Sequence, residues 1–196
     1  MKRLRSLLNA ARTVFGRGVF PHEASFILEL GWRKVVLAPA ELAARLPLEP
    51  SSRVLEVGAG AGFYSAEVAR RIPGGRLELL DLQPEMLRKA EARLASEGLR
   101  NVGYTTADAS RLPFPDGSLD LVYMVAVLGE VSDGASLLRE CRRVLKSGGT
   151  LSVSEHLPDP DFSRFATVRT LVEPVGFALA SRHGKSWSYT ANFTKT

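Results

Sequence analysis

Five strand candidates, at residues 54–57, 76–81, 102–106, 119–127 and 150–154, alternate with stretches of helical spacing near 62–72, 84–97 and 133–146. Few architectures satisfy that alternation. A strand that pairs with the next strand across an intervening helix forms a parallel crossover. Repeated crossovers build a doubly wound, Rossmann-like α/β sheet with helices on both faces. The tail breaks the pattern. Residues 178–182 and 191–195 read as two strands around a His183-Gly184-Lys185 turn, which predicts an antiparallel strand at one edge.

The 196 residues, 45% hydrophobic and 24% charged, suit one compact unit with a sizeable core. The apolar runs are short, and none approaches the ~20 residues that cross a bilayer. The basic N-terminus lacks an uninterrupted apolar segment and a small-residue cleavage site, so no secretory signal is expected. The single cysteine, Cys141, has no internal disulfide partner, which agrees with a reducing cytoplasm. It shares a helical face with Leu137, Leu138, Val144 and Leu145, so core packing accounts for it.

The formal charge of +5 suggests nucleic acid until its distribution is considered. Lys2, Arg3, Arg5, Arg12 and Arg17 precede the first acid, Glu23, and the remaining 21 basic residues match the 21 acids. A domain that tracks phosphates carries its own basic excess, and the body of this one has none. Residues 1–15 place Leu4, Leu7, Leu8, Ala11 and Phe15 at helical spacing with arginines elsewhere. Such a helix docks on its own domain, closes over a site as a lid, or touches a membrane surface; one short helix is thin support for the last. Residues 22–46 read as two helical segments divided at Pro39. The division is therefore a helical cap over 1–50 and a ligand-binding domain over 51–196.

The most informative stretch is RVLEVGAGAGFYS, residues 53–65. Gly58, Gly60 and Gly62 follow a strand directly, where an open α/β sheet binds its ligand. A dinucleotide fingerprint needs glycine at positions one, three and six, and the sixth here is Phe63. Glu56 stands two residues before the loop, where a pyrophosphate would meet it. A carboxylate there suits a cation. S-adenosylmethionine carries a sulfonium and an α-amino cation and no phosphate. Asp81, at the end of the second strand, either accepts from ribose hydroxyls or caps the helix beginning at Pro84. Asp108 follows the third strand; it either accepts from an adenine amino group, with the Ala109 N–H beside it, or forms an Asx turn. Asp116-Gly117 is read as a turn.

These stretches, with ELLDLQPEML, TTADASRLPFPDGSLDLVYMVAVLGEV and RECRRVLKSGGTLSVSEH in the same order, resemble the class I S-adenosylmethionine-dependent methyltransferases. The likeness is greatest to the group with quinone-biosynthesis and other small-molecule enzymes, and covers about residues 51–156. A leader, GWRKVVLAPAELAARL, also looks like that of some members. The resemblance implies seven strands in the order 3-2-1-4-5-7-6 with the last antiparallel. It also implies that Glu56 supports the methionine end, Gly58, Ala59, Gly60 and Gly62 back the ligand, and Asp81 binds ribose. Leu82 would cover the adenine, Asp108 and Ala109 read its edge, and Val125 begin a segment to Leu128 on the sulfonium side. The histidine many members carry after the fourth strand is replaced here by Leu128-Gly129-Glu130. The aromatic Pro-Pro-Tyr type of motif found in amino-directed members is absent, which argues against nucleic-acid or glutamine substrates.

Methyl transfer requires near-attack alignment and, for a protonated nucleophile, a base. His156 and Glu155, after the fifth strand, are candidates; the alternative is a loop pair bonded to local backbone. His22 with Glu23 would need the N-terminal segment to fold over the site. Tyr64 is a contact for cofactor or substrate, or an exposed first-turn tyrosine. His183 is expected in solvent. The dispersed histidines and lone cysteine offer no metal-ligand spacing. The expectation is methyl transfer to a small-molecule acceptor by a monomer or homodimer. A nicotinamide-dependent reductase and a non-enzymatic binding module remain as alternatives. The region after the fifth strand, 157–174, is short and carries no inserted substrate domain.

Overall fold

The computed structural model describes residues 37–196. Helix α1 (Pro39–Arg45) leads into β1 (Arg53–Val57), α2 (Ser65–Arg71), β2 (Arg76–Asp81), α3 (Pro84–Ser96) and β3 (Val102–Thr106). There follow β4 (Leu119–Val125), α4 (Gly134–Val144), β5 (Leu145–His156), α5 (Phe165–Val172), a 3-10 turn (Glu173–Val175), β6 (Phe177–Lys185) and β7 (Ser188–Lys195). The seven strands lie in the order β3-β2-β1-β4-β5-β7-β6. The first five are parallel, and β7 runs antiparallel to both β5 and β6. This is the expected Rossmann-like topology.

Period-two alternation divides the core. Val54, Leu77, Leu79, Leu121 and Tyr123 face one side, where α1, α2 and α3 bury Leu42, Val68, Leu87 and Leu94. Leu55, Leu80, Val122, Met124 and Leu151 face the other, against Leu137, Cys141 and Val144 of α4 and Val168 and Val172 of α5. Cys141 is thus a core residue, as its helical face suggested.

Pro39 opens α1, in the first-turn position where a missing N–H costs nothing. Leu37, Leu42, Ala43 and Leu46 are buried, and each leucine contributes about 1.5–3 kcal/mol. Asn192 Nδ2 donates to the Arg45 carbonyl at 2.8 Å. Residues 37–46 are therefore anchored to the domain that follows. The expected N-terminal amphipathic helix, the segment at 22–36, His22 and Glu23 lie outside the described residues.

Several boundaries differ from expectation. Strand β4 stops at Val125 because Ala126 turns to φ 56°. Strand β5 begins at Leu145, five residues early. Gly148 and Gly149 read as punctuation, yet the backbone stays paired with β4 across a register shift. The hairpin turn is Ser186-Trp187; His183, Gly184 and Lys185 belong to β6, though His183 is exposed as expected. Helix α5 was not foreseen. Its eight residues include Thr167, Val168 and Thr170, whose branched side chains weaken the helical signal.

Candidate functional site

A cleft of about 240 Å³ opens at the carboxyl ends of β1, β2 and β4. Its floor is set by Glu56, which the inward alternation of β1 turns toward α2. There Ser65 Oγ donates to Glu56 Oε2, and the carboxylate is 3% exposed. Tyr123 stands opposite Glu56 in the β1–β4 register. Burial, and then the negative charge of Glu56, push ionisation of its phenol well up, so the hydroxyl stays neutral beside the acid.

The glycine loop is tied inward. Gly58 and Ala59 N–H both donate to the Leu80 carbonyl, at 2.8 and 3.1 Å, and Gly62 N–H donates to the Ala59 carbonyl. Gly60 N–H donates to Asp81 Oδ2 at 2.8 Å, and Gln83 N–H to Asp81 Oδ1 at 2.9 Å. Loop amides that would cradle a phosphate are engaged within the protein. Asp81 is not a helix cap: Gln83 precedes α3 without a side-chain cap, and Asp81 instead braces the loop at the cleft wall. Gly58 has φ +69°, and a Cβ there would come 2.5 Å from Val127 Cγ2.

Charge in the cleft is one-sided. Among the described residues, Glu56, Asp81, Asp108 and Glu130 line it against a single guanidinium, Arg93, whose charge lies over the Phe63 ring and beside Glu97. Asp108 Oδ1 accepts from Ser110 N–H at 2.8 Å, and that bond holds its carboxyl below the usual range. Asp108 is thus both an Asx-turn residue and a cleft residue. Four carboxylates repel a dinucleotide and favour a cation. The exposed Leu82 and the thioether of Met86 give the cleft an apolar wall beside the acids. A ligand that is part cation and part purine nucleoside matches this donor set, and S-adenosylmethionine is such a ligand.

Of the residues expected to bind cofactor, Glu56, Gly58, Ala59, Gly60, Tyr64, Asp81, Leu82, Asp108, Ala109 and Val125 line the cleft. Gly62 does not. A Cβ at Gly62 would sit 2.9 Å from Leu94 Cδ1 and 3.1 Å from Ala90 Cβ, so this glycine lets α3 close on the loop. Glu155 and His156 do not line the cleft. Both are buried at the end of β5, where Glu155 Oε2 accepts from Ser163 N–H. Burial pushes the Glu155 carboxyl up to about 8, with the Asp159 and Asp161 charges adding to it.

Residues not foreseen include Phe63, Met86, Arg93, Glu130 and Ser132, whereas Ala126 and Val127 fall in the segment to Leu128 that the resemblance put on the sulfonium side. Ala126 holds a left-handed backbone at φ 56°, strain of the kind that gathers at ligand sites. Nothing in an alanine announces that. Glu130 stood in plain view as the acid after Leu128-Gly129. A Cβ at Gly129 would lie 2.4 Å from the Asp161 carbonyl, so the loop after β5 requires glycine at that position.

Comparison with known proteins agrees with this geometry. The chain is 34% identical over 148 residues to the ubiquinone/menaquinone biosynthesis C-methyltransferase UbiE of Pectobacterium carotovorum, covering 72% of this chain and 58% of that protein. It is 31% identical over 172 residues to the Shewanella frigidimarina protein of the same name, covering 85% of this chain and 66% of that one. It therefore spans about half to two thirds of the length of such relatives. In fold it is similar to a SAM dependent methyltransferase from Aquifex aeolicus, with a TM-score of 0.83, 22% identity, 91% of this chain and 100% of that chain covered. Residues 55–153, from β1 to the middle of β5, match the methyltransferase domain family, and the chain belongs to that family.

Proposed function

We propose that the chain transfers a methyl group from S-adenosylmethionine to a ring carbon of a small, quinone-like acceptor. The observation that carries this is the charge of the cleft: a nearly buried Glu56 beneath a glycine loop whose amides bond to the protein itself. When bound, S-adenosylmethionine supplies an electrophilic methyl on a sulfonium that is already a good leaving group. Glu56 would hold the cationic amino-acid end, and Asp81 the ribose hydroxyls. Leu82 would cover the adenine, Asp108 and the Ala109 N–H would read its edge, and Val125 would flank the sulfonium.

The acceptor class comes from the names of the relatives, and the β4 side of the cleft supports it. Val125, Ala126, Val127 and Val131 offer an apolar wall, with Glu130 the carboxylate among them. A hydroquinone ring carbon becomes nucleophilic as its hydroxyl loses a proton, and Glu130, which lines the cleft, would take that proton. Glu155 and His156 then serve the packing of the 157–163 loop. Residues 1–50 cap the site and 51–196 bind the ligand, in a cytoplasmic protein that is a monomer or homodimer.

The test is incubation of the full chain with S-adenosylmethionine and a short-chain demethylated hydroquinone, followed by mass spectrometry. One carbon-bound methyl per S-adenosylhomocysteine is the expected product. Methylation on oxygen would overturn the carbon assignment, and cofactor binding without turnover on any acceptor would favour a regulatory binding module.

A further inference from the structure

We propose that the tip of the β6–β7 hairpin docks on an anionic lipid surface, with Trp187 and Leu157 entering the headgroup layer and Lys185 and His183 facing lipid phosphates, while Arg182 lies over the Phe165 and Tyr189 rings. Trp187 is 42% exposed in the Ser186-Trp187 turn, and Leu157 is 39% exposed beside it, its N–H donating to the Trp187 carbonyl at 2.8 Å. Two large apolar side chains thus share one point of the surface. Lys185 Nζ lies 5.6 Å from the centre of the indole ring. A tryptophan with an ammonium beside it is a pairing suited to the boundary between hydrocarbon and water.

The hairpin's own charge has one sign, while the acids Asp159 and Asp161 lie in the loop that follows Leu157. Residues 177–195 contain Arg182, His183, Lys185 and Lys195 and no Asp or Glu. Among the described residues, neither Arg182 nor Lys185 forms an ion pair with a carboxylate. Lysine on an edge strand discourages strand addition, and Lys185 serves that purpose too. It gives no reason for an exposed tryptophan at the turn. A second copy of the chain is a poor occupant. Trp187 and Leu157 together present under about 200 Å², against about 800 Å² per partner in a stable interface, and like charges would face each other across a twofold axis.

The position matters for the proposed chemistry. His156 pairs with Ser188, so the tip stands at the carboxyl edge of the parallel strands, the edge that also carries the cleft. In the order β1-β4-β5-β7 the tip is two strands from β4, about 10 Å at the usual strand spacing. Docking would turn the cleft mouth toward the bilayer, and this part rests on the quinone-like acceptor proposed above, since such molecules partition into lipid.

The experiment uses the full chain with Trp32→Phe, leaving Trp187 as the reporter among the two tryptophans. Titration with phosphatidylglycerol vesicles is expected to blue-shift its emission, and phosphatidylcholine vesicles are expected to shift it far less. In cosedimentation with the anionic vesicles, Leu157→Ser/Trp187→Ser and, separately, Lys185→Glu should each weaken binding about tenfold. Calorimetric binding of S-adenosylhomocysteine should be unchanged, which separates failure of the docking surface from failure of the cofactor assignment. Vesicle binding unchanged in both variants, or none at all, would overturn the proposal. So would a solution dimer that Leu157→Ser/Trp187→Ser dissolves.

Discussion

Replacing Gly58 with alanine separates a backbone requirement from a packing requirement. An L-residue held at φ +69° loses about 1–2 kcal/mol relative to glycine. The new Cβ would also lie 2.5 Å from Val127 Cγ2 and 3.2 Å from Val127 Cγ1. Val127 is buried and β-branched, so it has few rotamers with which to retreat, and overpacking adds about 1–3 kcal/mol. Gly98 provides the control. Its φ is +75° and a Cβ there meets nothing within 4 Å, so Gly98→Ala carries the backbone cost alone. Urea denaturation followed by circular dichroism should therefore show Gly58→Ala less stable than Gly98→Ala by about 1–3 kcal/mol. Because Val127 lines the cleft, Gly58→Ala should also weaken S-adenosylhomocysteine by about tenfold, equivalent to 1.4 kcal/mol. Equal destabilisation by the two substitutions would refute the packing account of Gly58.

Three further outcomes follow from groups away from the cleft. Burial raises the Glu155 carboxyl to about 8 from an ordinary 4.5, so the folded protein keeps a proton that the unfolded chain releases between those values. Stability from this group is complete below about pH 4.5 and is lost as pH rises toward 8, a loss on the order of 2–5 kcal/mol; Glu155→Gln should flatten that slope in denaturation curves, and parallel curves would contradict it. Cys141 is fully buried and its thiol is pushed up to about 12, so a thiol reagent should label it only as fast as the protein unfolds; rapid labelling under native conditions would show a looser α4. Arg143 donates to the Leu112 and Phe114 carbonyls, each at 2.8 Å, and pairs with Glu140 and Asp116. Arg143→Met should lower stability by about 1–3 kcal/mol in thermal denaturation, and a loss under about 0.5 kcal/mol would mean that the segment carrying Leu112 and Phe114 holds itself.

The central sheet was legible because parallel strands buried on both faces, such as β1 and β4, are written as mostly aliphatic runs, and the bounds of β2 and β3 also match expectation to the residue. Glu56, Gly58, Asp81 and Asp108 were legible for a related reason: each stands at or just beyond a strand end, so the one-dimensional order carries the three-dimensional site. What the chain did not reveal depends on partners distant in sequence. Gly62 reads like its two neighbours, and only the closeness of Leu94 and Ala90 shows that it serves helix packing. Arg93 reads as an ordinary solvated helix cation and reaches the cleft because α3 passes over the loop. Glu155 and His156 end a strand as catalytic residues do, but the loop closed by Ser163 and by the Tyr189 hydroxyl, which donates to the Ser163 carbonyl, covers them.

Calorimetric titration of the wild-type chain and Glu56→Gln with S-adenosylmethionine tests the central claim most directly, with circular dichroism confirming that both are folded. Saturable binding by the wild type, weakened about 10- to 100-fold by loss of the one negative charge, with no saturable heat from NADH, is the expected result. Equal affinity in the two proteins, or tight capture of NADH, would contradict a cleft built around a buried carboxylate for a cationic ligand.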